Sequence, residues 1–456
     1  MKEGELSKIS FLVDRMRSFS DDTAIICGGT EVKYSALLEE YEKAASLLKR
    51  HGVARGSVVA LRGEFSQKTI GMILTVIEAN CIFVPISTAT KESEKYLEIA
   101  QVQFLFDFED ECEDEGEPRA VRITDTPPSH KILRTLLDAG SPGLVLFSSG
   151  STGEPKAAVH DLCPMLEKYK AGGKKLRSVA FLLFDHIGGF NTVMYSLANG
   201  GTLATVKERS PEEVARLVEQ YKLEVLPTSP SFLNMMLFSK IYERFNLSSL
   251  KLITYGTEPM PESTLHELHR VLPSAKLKQT YGLSEVGIMR TKSEADDSLW
   301  LKVGGDDTHQ VKVVDGILFI KSKMSMLGYL NAPSPFDEAG WLNTGDRVEQ
   351  KGEYIRILGR ESELINVGGQ KVFPAEVESV LLEVRGVKDA VVFKSANPIL
   401  GNVVSCKIAT EEGANLGELK KAIQVHCAKR LEKYKRPVKI EFQSQSFESE
   451  RFKKKR

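Results

Sequence analysis

The residues best suited to chemistry lie in one stretch, 144–156, which reads L-V-L-F-S-S-G-S-T-G-E-P-K. Its apolar start, 144–147, is typical of a buried strand. The residues that follow carry small hydroxyl side chains or none, so their backbone N–H groups could approach a polyphosphate closely. The candidate phosphate ligands are Ser148, Ser149, Gly150, Ser151, Thr152, Gly153 and Lys156.

The spacing of this stretch differs from that of a Walker A loop. No Gly-Lys-Ser or Gly-Lys-Thr follows its second glycine, and Pro155 would interrupt a helix that began there. By itself, a cluster of Ser, Gly and Thr is most often a solvated loop. The phosphate assignment therefore depends on partners elsewhere in the chain.

Length and composition narrow the class of protein. A chain of 456 residues exceeds the size at which one hydrophobic core keeps growing, so we expect two or more domains. The net charge of -1 argues against a global field for nucleic acid or membranes. No apolar run approaches the ~20 residues that cross a bilayer. Six scattered cysteines and a hydrophilic start predict a cytoplasmic protein with reduced thiols.

The elements that must position the loop alternate between helix and strand. Apolar periodicity predicts helices at 35–51, 70–79, 191–197 and 262–271, and a capped helix start at 210–213. Apolar runs predict strands at 58–61, 82–86, 182–184, 225–228 and 252–255, and one ending at Gln279. This alternation indicates an α/β fold with mixed or parallel sheets. The acidic run 107–117 is expected to be a solvated, mobile loop.

The pattern changes beyond residue 300. Short strands at 311–314, 317–320 and 354–358 predict a β-rich lobe. After Gly359 a compact α+β unit is expected. It would contain a helix from Pro374, strands at 390–393 and 403–408, a helix at 418–431 and a strand at 438–442.

The complete loop string, set directly after an apolar strand, resembles the signature loop of the ANL superfamily of adenylate-forming enzymes. That group includes acyl- and aryl-CoA synthetases, the adenylation domains of peptide synthetases, and beetle luciferases. Further stretches match the superfamily in the same order, so the resemblance covers essentially the whole chain. It implies that the loop holds the phosphates of ATP.

The nucleotide site is implied by two of these stretches. Residues 279–285, Q-T-Y-G-L-S-E, are similar to the superfamily's Y-G-x-T-E, with serine in place of threonine. The resemblance implies that Tyr281 stacks on adenine, that Ser284 contacts phosphate and that Glu285 ligates magnesium. A hard cation prefers such oxygen ligands. Upstream, Gly256, Thr257 and Glu258 resemble the other wall of the adenine slot.

The ribose contact is implied by W-L-N-T-G-D at 341–346, which looks like the superfamily's W-x-x-T-G-D. Asp346 would bind both ribose hydroxyls, since a carboxylate can accept two hydrogen bonds. An isolated T-G-D would more often close a turn. Arg360 matches a residue that reaches ribose or phosphate.

The acid pocket is suggested by F-D-H-I-G-G-F-N at 184–191. A lone histidine at a strand end is most often structural. The resemblance to aryl- and acyl-CoA synthetases implies that His186 borders the substrate carboxylate, with Phe190 and Gly282 beside the acid. Peptide-synthetase domains carry F-D-x-S instead. Ile187 occupies the serine position here, which disfavours an amino-acid substrate.

The stretch from Gly359, G-R-E-S-E-L-I-N-V-G-G-Q-K, is similar to the hinge and first loop of the superfamily's C-terminal domain. Ser362 falls at the hinge position, where aspartate or lysine is usual. Gly368, Gly369 and Lys371 would line the tunnel for an incoming thiol.

The chain ends in R-F-K-K-K-R, which resembles the superfamily's G-K-x-x-R when Arg456 sets the register. Lys453 then matches the catalytic lysine that bridges carboxylate and phosphate, and Phe452 replaces the glycine. Lys454 is the alternative. A basic tail alone would be read as nonspecific.

Together these features predict a multidomain α/β enzyme. A large N-terminal domain, 1–358, with mixed or parallel sheets and a β-rich lobe, would be joined by a hinge, 359–362, to a small mobile α+β domain, 363–456. Using ATP and Mg²⁺, it would convert a carboxylic acid to acyl-AMP and transfer the acyl group to a thiol, CoA being favoured. The predicted catalytic residues are Lys453, His186 and Glu285.

Three alternatives stay open at this point. The acceptor could be the phosphopantetheine of an acyl carrier protein, or an amine, or the chain could be a degenerate relative without catalysis. Neither a nucleic-acid partner nor a membrane span is expected. The sequence leaves open which acid is used and which oligomer forms, because fold-level resemblance does not determine substrate.

Overall fold

The structure is a computed structural model that describes residues 8–108, 116–149, 154–305, 307–410 and 413–443. The helices are α1 (Ser10–Ser18), α2 (Tyr34–Arg50), α3 (Gln67–Glu78), α4 (Ser93–Ile99), α5 (Lys131–Ala139), α6 (Leu162–Glu167), α7 (Ile187–Ala198), α8 (Pro211–Tyr221), α9 (Pro230–Phe238), α10 (Ile241–Arg244), α11 (Glu262–Val271), α12 (Pro374–Leu382) and α13 (Leu416–Arg430). Short 3-10 helices span Glu361–Glu363 and Lys433–Lys435.

The strands fall into two runs along the chain. Before residue 290 they are β1 (Thr23–Cys27), β2 (Thr30–Lys33), β3 (Val58–Arg62), β4 (Ile82–Ile86), β5 (Phe104–Asp107), β6 (Arg119–Arg122), β7 (Gly143–Ser149), β8 (Pro155–Asp161), β9 (Arg177–Ala180), β10 (Thr202–Thr205), β11 (Val225–Thr228), β12 (Leu252–Tyr255), β13 (Lys276–Gln279), β14 (Gly282–Leu283) and β15 (Gly287–Ile288). After it they are β16 (Thr291–Ser293), β17 (Leu301–Val303), β18 (His309–Val314), β19 (Ile317–Ser322), β20 (Gly328–Tyr329), β21 (Leu342–Lys351), β22 (Tyr354–Arg360), β23 (Ile365–Val367), β24 (Gln370–Val372), β25 (Val387–Asn397), β26 (Gly401–Thr410) and β27 (Lys439–Gln443).

The chain divides into two compact units, each assembled from separate segments. The first unit consists of Met1–Pro227, Gly282–Ile288 and Lys321–Gly340. The second consists of Thr228–Tyr281, Met289–Ile320 and Trp341–Arg456. Each unit therefore depends on residues that are far apart in sequence.

One sheet of the first unit has the order β20-β8-β7-β4-β3-β5-β6. Its central strands β3, β4, β5 and β7 run parallel, and the antiparallel strands lie towards its edges. Both faces are covered, since Val59 and Leu61 enter one hydrophobic cluster while Val58 and Ala60 enter another. A parallel strand buried on both faces reads as a continuous apolar run. Such runs explain why β3 and β4 are visible in the sequence.

A second set of strands in this unit comprises β1, β2, β9, β10 and β11. Strand β10 runs parallel to β1 and β9, β11 runs parallel to β9, and β2 pairs antiparallel with β1. Helices α2, α3 and α7 contribute to the same hydrophobic cluster as β1 and β3. The core of the first unit therefore lies around these helices.

The second unit contains an antiparallel sheet of order β16-β17-β22-β21-β19-β18 and the parallel pair β12 and β13. A further sheet joins β24, β23, β26 and β25, with β27 parallel to β26. Helices α12 and α13 and this last sheet share a hydrophobic cluster of their own. The part of the chain from Ile365 onward thus has its own core.

Most predicted elements are confirmed, including α2, α11, β11, β12 and the helices and strands predicted after Gly359. The strand predicted at 182–184 is wrong, because β9 ends at Ala180 and a turn leads into α7. Leu183 and Phe184 are buried all the same. Their apolar character comes from packing in a loop, which periodicity cannot distinguish from a strand.

Of the predictions that concern polar residues, one is confirmed and another is wrong. Ser210 accepts a hydrogen bond from Glu213 N at 3.2 Å, which confirms it as the cap of α8. The Glu213 carboxylate accepts hydrogen bonds from Arg216. Asp107, expected in a solvated loop, is buried in β5 and binds Arg62. Residues 109–115 of that acidic run lie outside the described part of the chain.

Cys81, Cys163, Cys406 and Cys427 are free thiols. Cys112 lies outside the described residues, so reduced thiols throughout the chain stay a prediction. Within the described ranges, no helix is both long and apolar enough to cross a bilayer.

Candidate functional site

The predicted phosphate loop joins two antiparallel strands of the first unit. β7 and β8 pair so that Ser148 lies opposite Lys156 and Ser149 opposite Pro155. Pro155 therefore begins a strand, a position where a missing N–H is tolerated. Gly150, Ser151, Thr152 and Gly153 lie outside the described residues. Ser148 and Lys156 are thus held at the two ends of the loop by strand pairing.

Asn331 holds the backbone on both sides of Lys156. Its amide nitrogen donates to Pro155 O at 2.8 Å, and its amide oxygen accepts from Ala157 N at 3.0 Å. The Lys156 ammonium lies 5.5 Å from the centroid of the Tyr329 ring. The sequence did not predict a role for Asn331 or Tyr329. Their signal in the sequence is weak, namely a tyrosine and an asparagine in the string G-Y-L-N at 328–331.

The hairpin β14–β15 carries the predicted phosphate and magnesium contacts. Ser284 and Glu285 lie in its turn, and Gly287 closes the turn with φ +76°. This left-handed conformation favours glycine, which has no Cβ. The buried Val286 anchors the turn. The Ser284 and Glu285 side chains are therefore presented from a tight loop.

Glu285 is fastened at two points. Its backbone oxygen accepts from Met326 N at 2.8 Å, and its Oε1 accepts from the Tyr329 hydroxyl. Both partners belong to the segment that includes β20, which pairs with β8. The same short segment therefore contacts Glu285 and the strand that contains Lys156.

The described residues offer magnesium a single carboxylate ligand at this hairpin, Glu285. Among the described residues, no group of three or more His, Cys, Asp or Glu side chains is placed to hold a metal ion. Mg²⁺ is often held by one or two carboxylates together with the phosphates of its substrate, not by an all-protein cage. Glu285, a partly buried carboxylate beside the phosphate-loop strand, fits that role as a single protein ligand.

The predicted adenine slot lies at the carboxyl ends of β12 and β13 in the second unit. These strands are parallel, so their ends meet at one edge. Thr280 N donates to Tyr255 O at 2.7 Å. A Cβ on Gly256 would lie 2.7 Å from Thr280 Oγ1, so a larger residue would displace the two segments. The structure thus brings Gly256 and the start of the Tyr281 segment side by side.

Thr257 has φ +73°, a left-handed conformation that is strained for a β-branched residue. Strain of this kind costs of order 1–3 kcal/mol and is concentrated at functional sites. The next residue, Glu258, accepts a hydrogen bond from Ser231 N at 2.7 Å, in the first turn of α9. Its contact to nucleotide stays a prediction.

Tyr281, Asp346 and Arg360 come together although they are far apart in sequence. The Tyr281 hydroxyl donates to Asp346 Oδ2 at 2.5 Å. Arg360 Nε lies 3.4 Å from Asp346 Oδ1, because Asp346 and Arg360 face each other across β21 and β22. Asp346 is 7% exposed. The hydrogen bond between Tyr281 and Asp346 was not predicted.

Burial determines the ionisation of this cluster. Burial raises the pKa of Asp346, while the Tyr281 hydroxyl and Arg360 act in the opposite direction and only partly offset it. Burial and the neighbouring carboxylate raise the pKa of Tyr281 well above its usual value, so its hydroxyl stays protonated and donates. Two lone pairs on each carboxylate oxygen leave Asp346 able to accept further donors.

His186 is the cap residue of α7. Its Nδ1 accepts a hydrogen bond from Gly188 N at 3.0 Å. A backbone N–H can only donate, so the neutral ring carries its proton on Nε2. That N–H is a donor of the kind a carboxylate oxygen requires. Helix α7 packs against β15, so His186 and the Glu285 hairpin belong to adjoining elements of the first unit.

Phe190 and Gly282, the other residues predicted to contact the acid, have structural roles in this fold. Phe190 is 3% exposed and packs in the hydrophobic cluster with Phe184 and Ile187. A Cβ on Gly282 would lie 2.9 Å from Gly287 O, so this glycine is required by the hairpin. Contacts of Phe190 and Gly282 with an acid stay predictions.

The predicted thiol tunnel residues form the tip of the hairpin β23–β24. Gly368 and Gly369 have φ +56° and +91°, and Val367 faces Gln370 across the turn. Two successive positive φ angles favour glycine at both positions. Lys371 is exposed, and Ser362 lies exposed in the 3-10 helix that follows β22. Phe452, Lys453, Lys454 and Arg456 lie outside the described residues.

The sheets and helices define an α/β protein. Within the second unit, the Asp346 carboxylate between Tyr281 and Arg360 can accept hydrogen bonds of the kind a ribose diol donates. The AMP-binding enzyme family matches residues 12–330, and the C-terminal domain of AMP-binding enzymes matches residues 376–453. The chain therefore belongs to the family of AMP-binding enzymes.

Individual relatives are similar in sequence over most of the chain. It is 26% identical to an indoleacetate–CoA ligase of Aromatoleum aromaticum, covering 92% of this chain and 91% of the relative. It is 25% identical to 4-coumarate-CoA ligase 1 of Narcissus pseudonarcissus, covering 95% and 89% respectively.

The fold also matches solved structures. The anthranilate CoA ligase AuaEII, in complex with anthranoyl-AMP, superposes with a TM-score of 0.82 at 18% identity, covering 98% of this chain and 95% of that one. ATP-bound MatB from Rhodopseudomonas palustris gives a TM-score of 0.75 at 19% identity, covering 97% and 96% respectively. These matches support the multidomain α/β fold.

Proposed function

We propose that the protein is an AMP-forming acid–thiol ligase. In the first step a carboxylate oxygen of the acid attacks the α-phosphorus of ATP, the bond to the β-phosphate oxygen breaks, and pyrophosphate leaves. In the second step a thiolate attacks the acyl carbon and AMP leaves. The observation that carries the proposal is Asp346, a buried carboxylate between Tyr281 and Arg360, which fits a ribose diol.

The obstacle to the first step is repulsion between an anionic nucleophile and an anionic polyphosphate. Lys156 and the N–H groups of the loop would offset the charge of the β- and γ-phosphates. Glu285 would hold magnesium, which supplies further charge neutralisation when bound with ATP. Lys453 is proposed to bridge the carboxylate and the α-phosphate.

Orientation of the acid is assigned to His186. Its imidazole would donate to one carboxylate oxygen of the acid, which would leave the other oxygen to attack. Fixing the reactants in line converts an encounter of two molecules into a reaction within one complex. The side chain of the acid would be accepted next to α7, near Phe190 and Gly282.

The second step is proposed to follow a rotation of the C-terminal domain about Ser362. The exposed position of Ser362, directly before the separate core that begins at Ile365, supports a hinge there. Rotation would withdraw Lys453 and present the Gly368–Gly369 hairpin to the thiol. The boundaries 1–358, 359–362 and 363–456 are part of this proposal.

CoA is the proposed thiol, and an aryl or acyl carboxylic acid the proposed substrate. The support is that the relatives are named indoleacetate–CoA ligase and 4-coumarate-CoA ligase. A carrier-protein phosphopantetheine or an amine would be the acceptor if CoA is not consumed. A cytoplasmic location stays a prediction from the sequence.

The test is acid-dependent exchange between ATP and labelled pyrophosphate, with a panel of aryl, short-chain, medium-chain and amino acids. We expect exchange with at least one aryl or acyl acid, followed by CoA thioester formation with the same acid. Absence of exchange with every acid would contradict the enzyme assignment. Exchange without CoA consumption would point to another acceptor, which holo-carrier protein and amines would then test.

The terminal lysine is tested by separating the two steps. Lys453→Ala should abolish adenylate formation and largely spare thioester formation from supplied acyl-AMP. Lys454→Ala is the matched control and should retain both steps. Equal loss of both steps in Lys453→Ala would contradict its role, and the reverse pattern would assign that role to Lys454.

A further inference from the structure

The segment 326–331 contacts two parts of the phosphate site that the sequence assigns to different motifs. Strand β20 pairs with β8 so that Tyr329 lies opposite Ala158. Flanking backbone bonds run from Leu327 N to Val159 O at 2.7 Å and from Leu330 N to Ala157 O at 2.9 Å. The position of the segment on the Lys156 strand is therefore fixed by register.

Tyr329 reaches both charged groups from this position. Its hydroxyl donates to Glu285 Oε1, and its ring faces the Lys156 ammonium at 5.5 Å. The residue is 7% exposed and packs with Ala158 and Met326. A buried ring held by strand pairing has little freedom to move, so it can act as a rigid link between an anion and a cation.

We propose that Tyr329 is a positioning residue that prepares Glu285 for a divalent cation and Lys156 for the β- and γ-phosphates. The hydroxyl occupies one carboxylate oxygen and so orients the other towards the metal. The ring face holds the ammonium by a cation–π contact. Asn331 completes the arrangement by bonding the backbone on both sides of Lys156.

This inference rests on the proposed function only for the identity of the ligand, which is ATP with magnesium. The two chemical parts of the Tyr329 side chain have different tasks. The Tyr329 hydroxyl acts on the metal carboxylate, whereas the Tyr329 ring and the Asn331 amide act on the phosphate lysine. Each task has its own binding signature, because ATP can be bound with or without the divalent cation.

The experiment is calorimetric titration of the full-length protein with ATP, once with excess Mg²⁺ and once with a chelator. Tyr329→Phe keeps the ring and removes the hydroxyl. We expect its affinity for MgATP to fall by about 10-fold, because a hydrogen bond to a charged group is lost. Its affinity for metal-free ATP should stay within about twofold of wild type, since the aromatic contact to Lys156 is retained.

Two further variants complete the separation. Tyr329→Leu removes the ring as well as the hydroxyl. It should therefore lose MgATP affinity as Tyr329→Phe does, and it should also bind metal-free ATP about threefold more weakly than wild type. Asn331→Ala should weaken binding of both forms by a similar factor, so the ratio of the two affinities should stay near that of wild type.

Tyr41→Phe is the matched control. Tyr41 is buried, and its hydroxyl also donates to a glutamate, Glu78 Oε2, in a part of the first unit with no predicted ligand role. This variant removes the same type of bond and should leave both affinities unchanged. If Tyr329→Phe fails to fold, Tyr329→Leu with the same titrations tests the metal effect.

A double variant tests whether the hydroxyl acts through Glu285. In a Glu285→Ala background, Tyr329→Phe should have no further effect on MgATP affinity. The proposal is overturned if Tyr329→Phe binds MgATP within about twofold of wild type, or if metal-free ATP weakens equally. The proposed function is tested separately. If it is wrong, the wild-type protein should show no pyrophosphate exchange, whatever the titrations of the variants show.

Discussion

Two carboxylates of the candidate site each accept a hydrogen bond from a tyrosine hydroxyl, and their surroundings differ. Asp346, in the second unit, is almost fully buried and also faces Arg360. Glu285, in the first unit, is partly exposed in a hairpin turn, and its second fastening is a backbone bond. The neutral ribose diol suits an enclosed carboxylate, whereas a hydrated cation requires an accessible one.

A tyrosine hydroxyl bonded to a carboxylate can therefore serve two different purposes. Burial with a cation beside it makes the Asp346 pair a fixed receptor for hydrogen-bond donors. Partial exposure at a turn leaves the Glu285 carboxylate accessible to a cation, while Tyr329 holds its orientation. Tyr41 and Glu78 form another such pair away from the predicted site, so a tyrosine–carboxylate bond alone does not indicate function.

The largest effect is expected from Glu285→Ala. Loss of the metal ligand should lower the rate of adenylate formation by about 100-fold or more, because charge neutralisation by a metal contributes several kcal/mol. Affinity for metal-free ATP should change little. The measurement is single-turnover adenylation beside ATP titration in a chelator, and Glu78→Ala serves as control. A large loss of metal-free affinity would remove the contrast with Asp346.

Asp346→Ala should act on nucleotide binding with and without metal. Two charge-assisted hydrogen bonds to the ribose would be lost, so we expect ATP to bind about 30-fold more weakly in both conditions. Titration with 2′,3′-dideoxy-ATP provides the control, because it lacks the hydroxyls and should bind wild type and variant equally. Unchanged ATP affinity would contradict the ribose role.

Nucleoside binding by Asp346 is expected to depend on pH. The pKa of Asp346 is raised by burial, so the group is destabilising when ionised, and this cost appears as pH rises through that pKa. Ribose binding needs the ionised form. Affinity for adenosine, whose own charge stays constant here, should therefore fall on acidification at a pH above the usual aspartate range of about 4.

Tyr281→Phe sharpens this pH test. The Tyr281 hydroxyl lowers the pKa of Asp346, so removing it should move the midpoint of the adenosine pH profile upward. Asp346→Asn should abolish the profile altogether. A midpoint that shifts downward in Tyr281→Phe would contradict the inferred hydrogen bond.

The smallest effect is expected from Thr257→Gly. Glycine adopts φ +73° without the penalty of a Cβ, so the free energy of unfolding should rise by about 1 kcal/mol in urea. Thr135→Gly, at an exposed position of α5, is the control and should lower it by about as much, because glycine disfavours helix interiors. A destabilised Thr257→Gly variant would show that the left-handed conformation is not strained.

Much of the fold was predictable because its elements are long or strongly patterned. Helix α2 has a clear apolar stripe, and β3 and β4 are unbroken apolar runs. The short hairpins β14–β15 and β23–β24 have too few residues for a periodic signal. They were located only as motifs, and the turns within them depend on Gly287, Gly368 and Gly369.

The sequence by itself determined which residue types occur and in what order, and from them it predicted which residues would contact the nucleotide. It also determined the family, through strings such as 148–156 and 279–285. Motifs of this kind can be recognised in the sequence alone, because each consists of residues that are neighbours in the chain.

Only the tertiary structure decided which of these residues share a hydrogen bond. Tyr281 and Asp346 are 65 residues apart, and Glu285 and Tyr329 are 44 apart. Contacts over such separations depend on strand register, where a shift of one residue turns a side chain to the other face. Register is set by the packing of whole sheets, and no local pattern at Asp346 or Tyr329 contains that information.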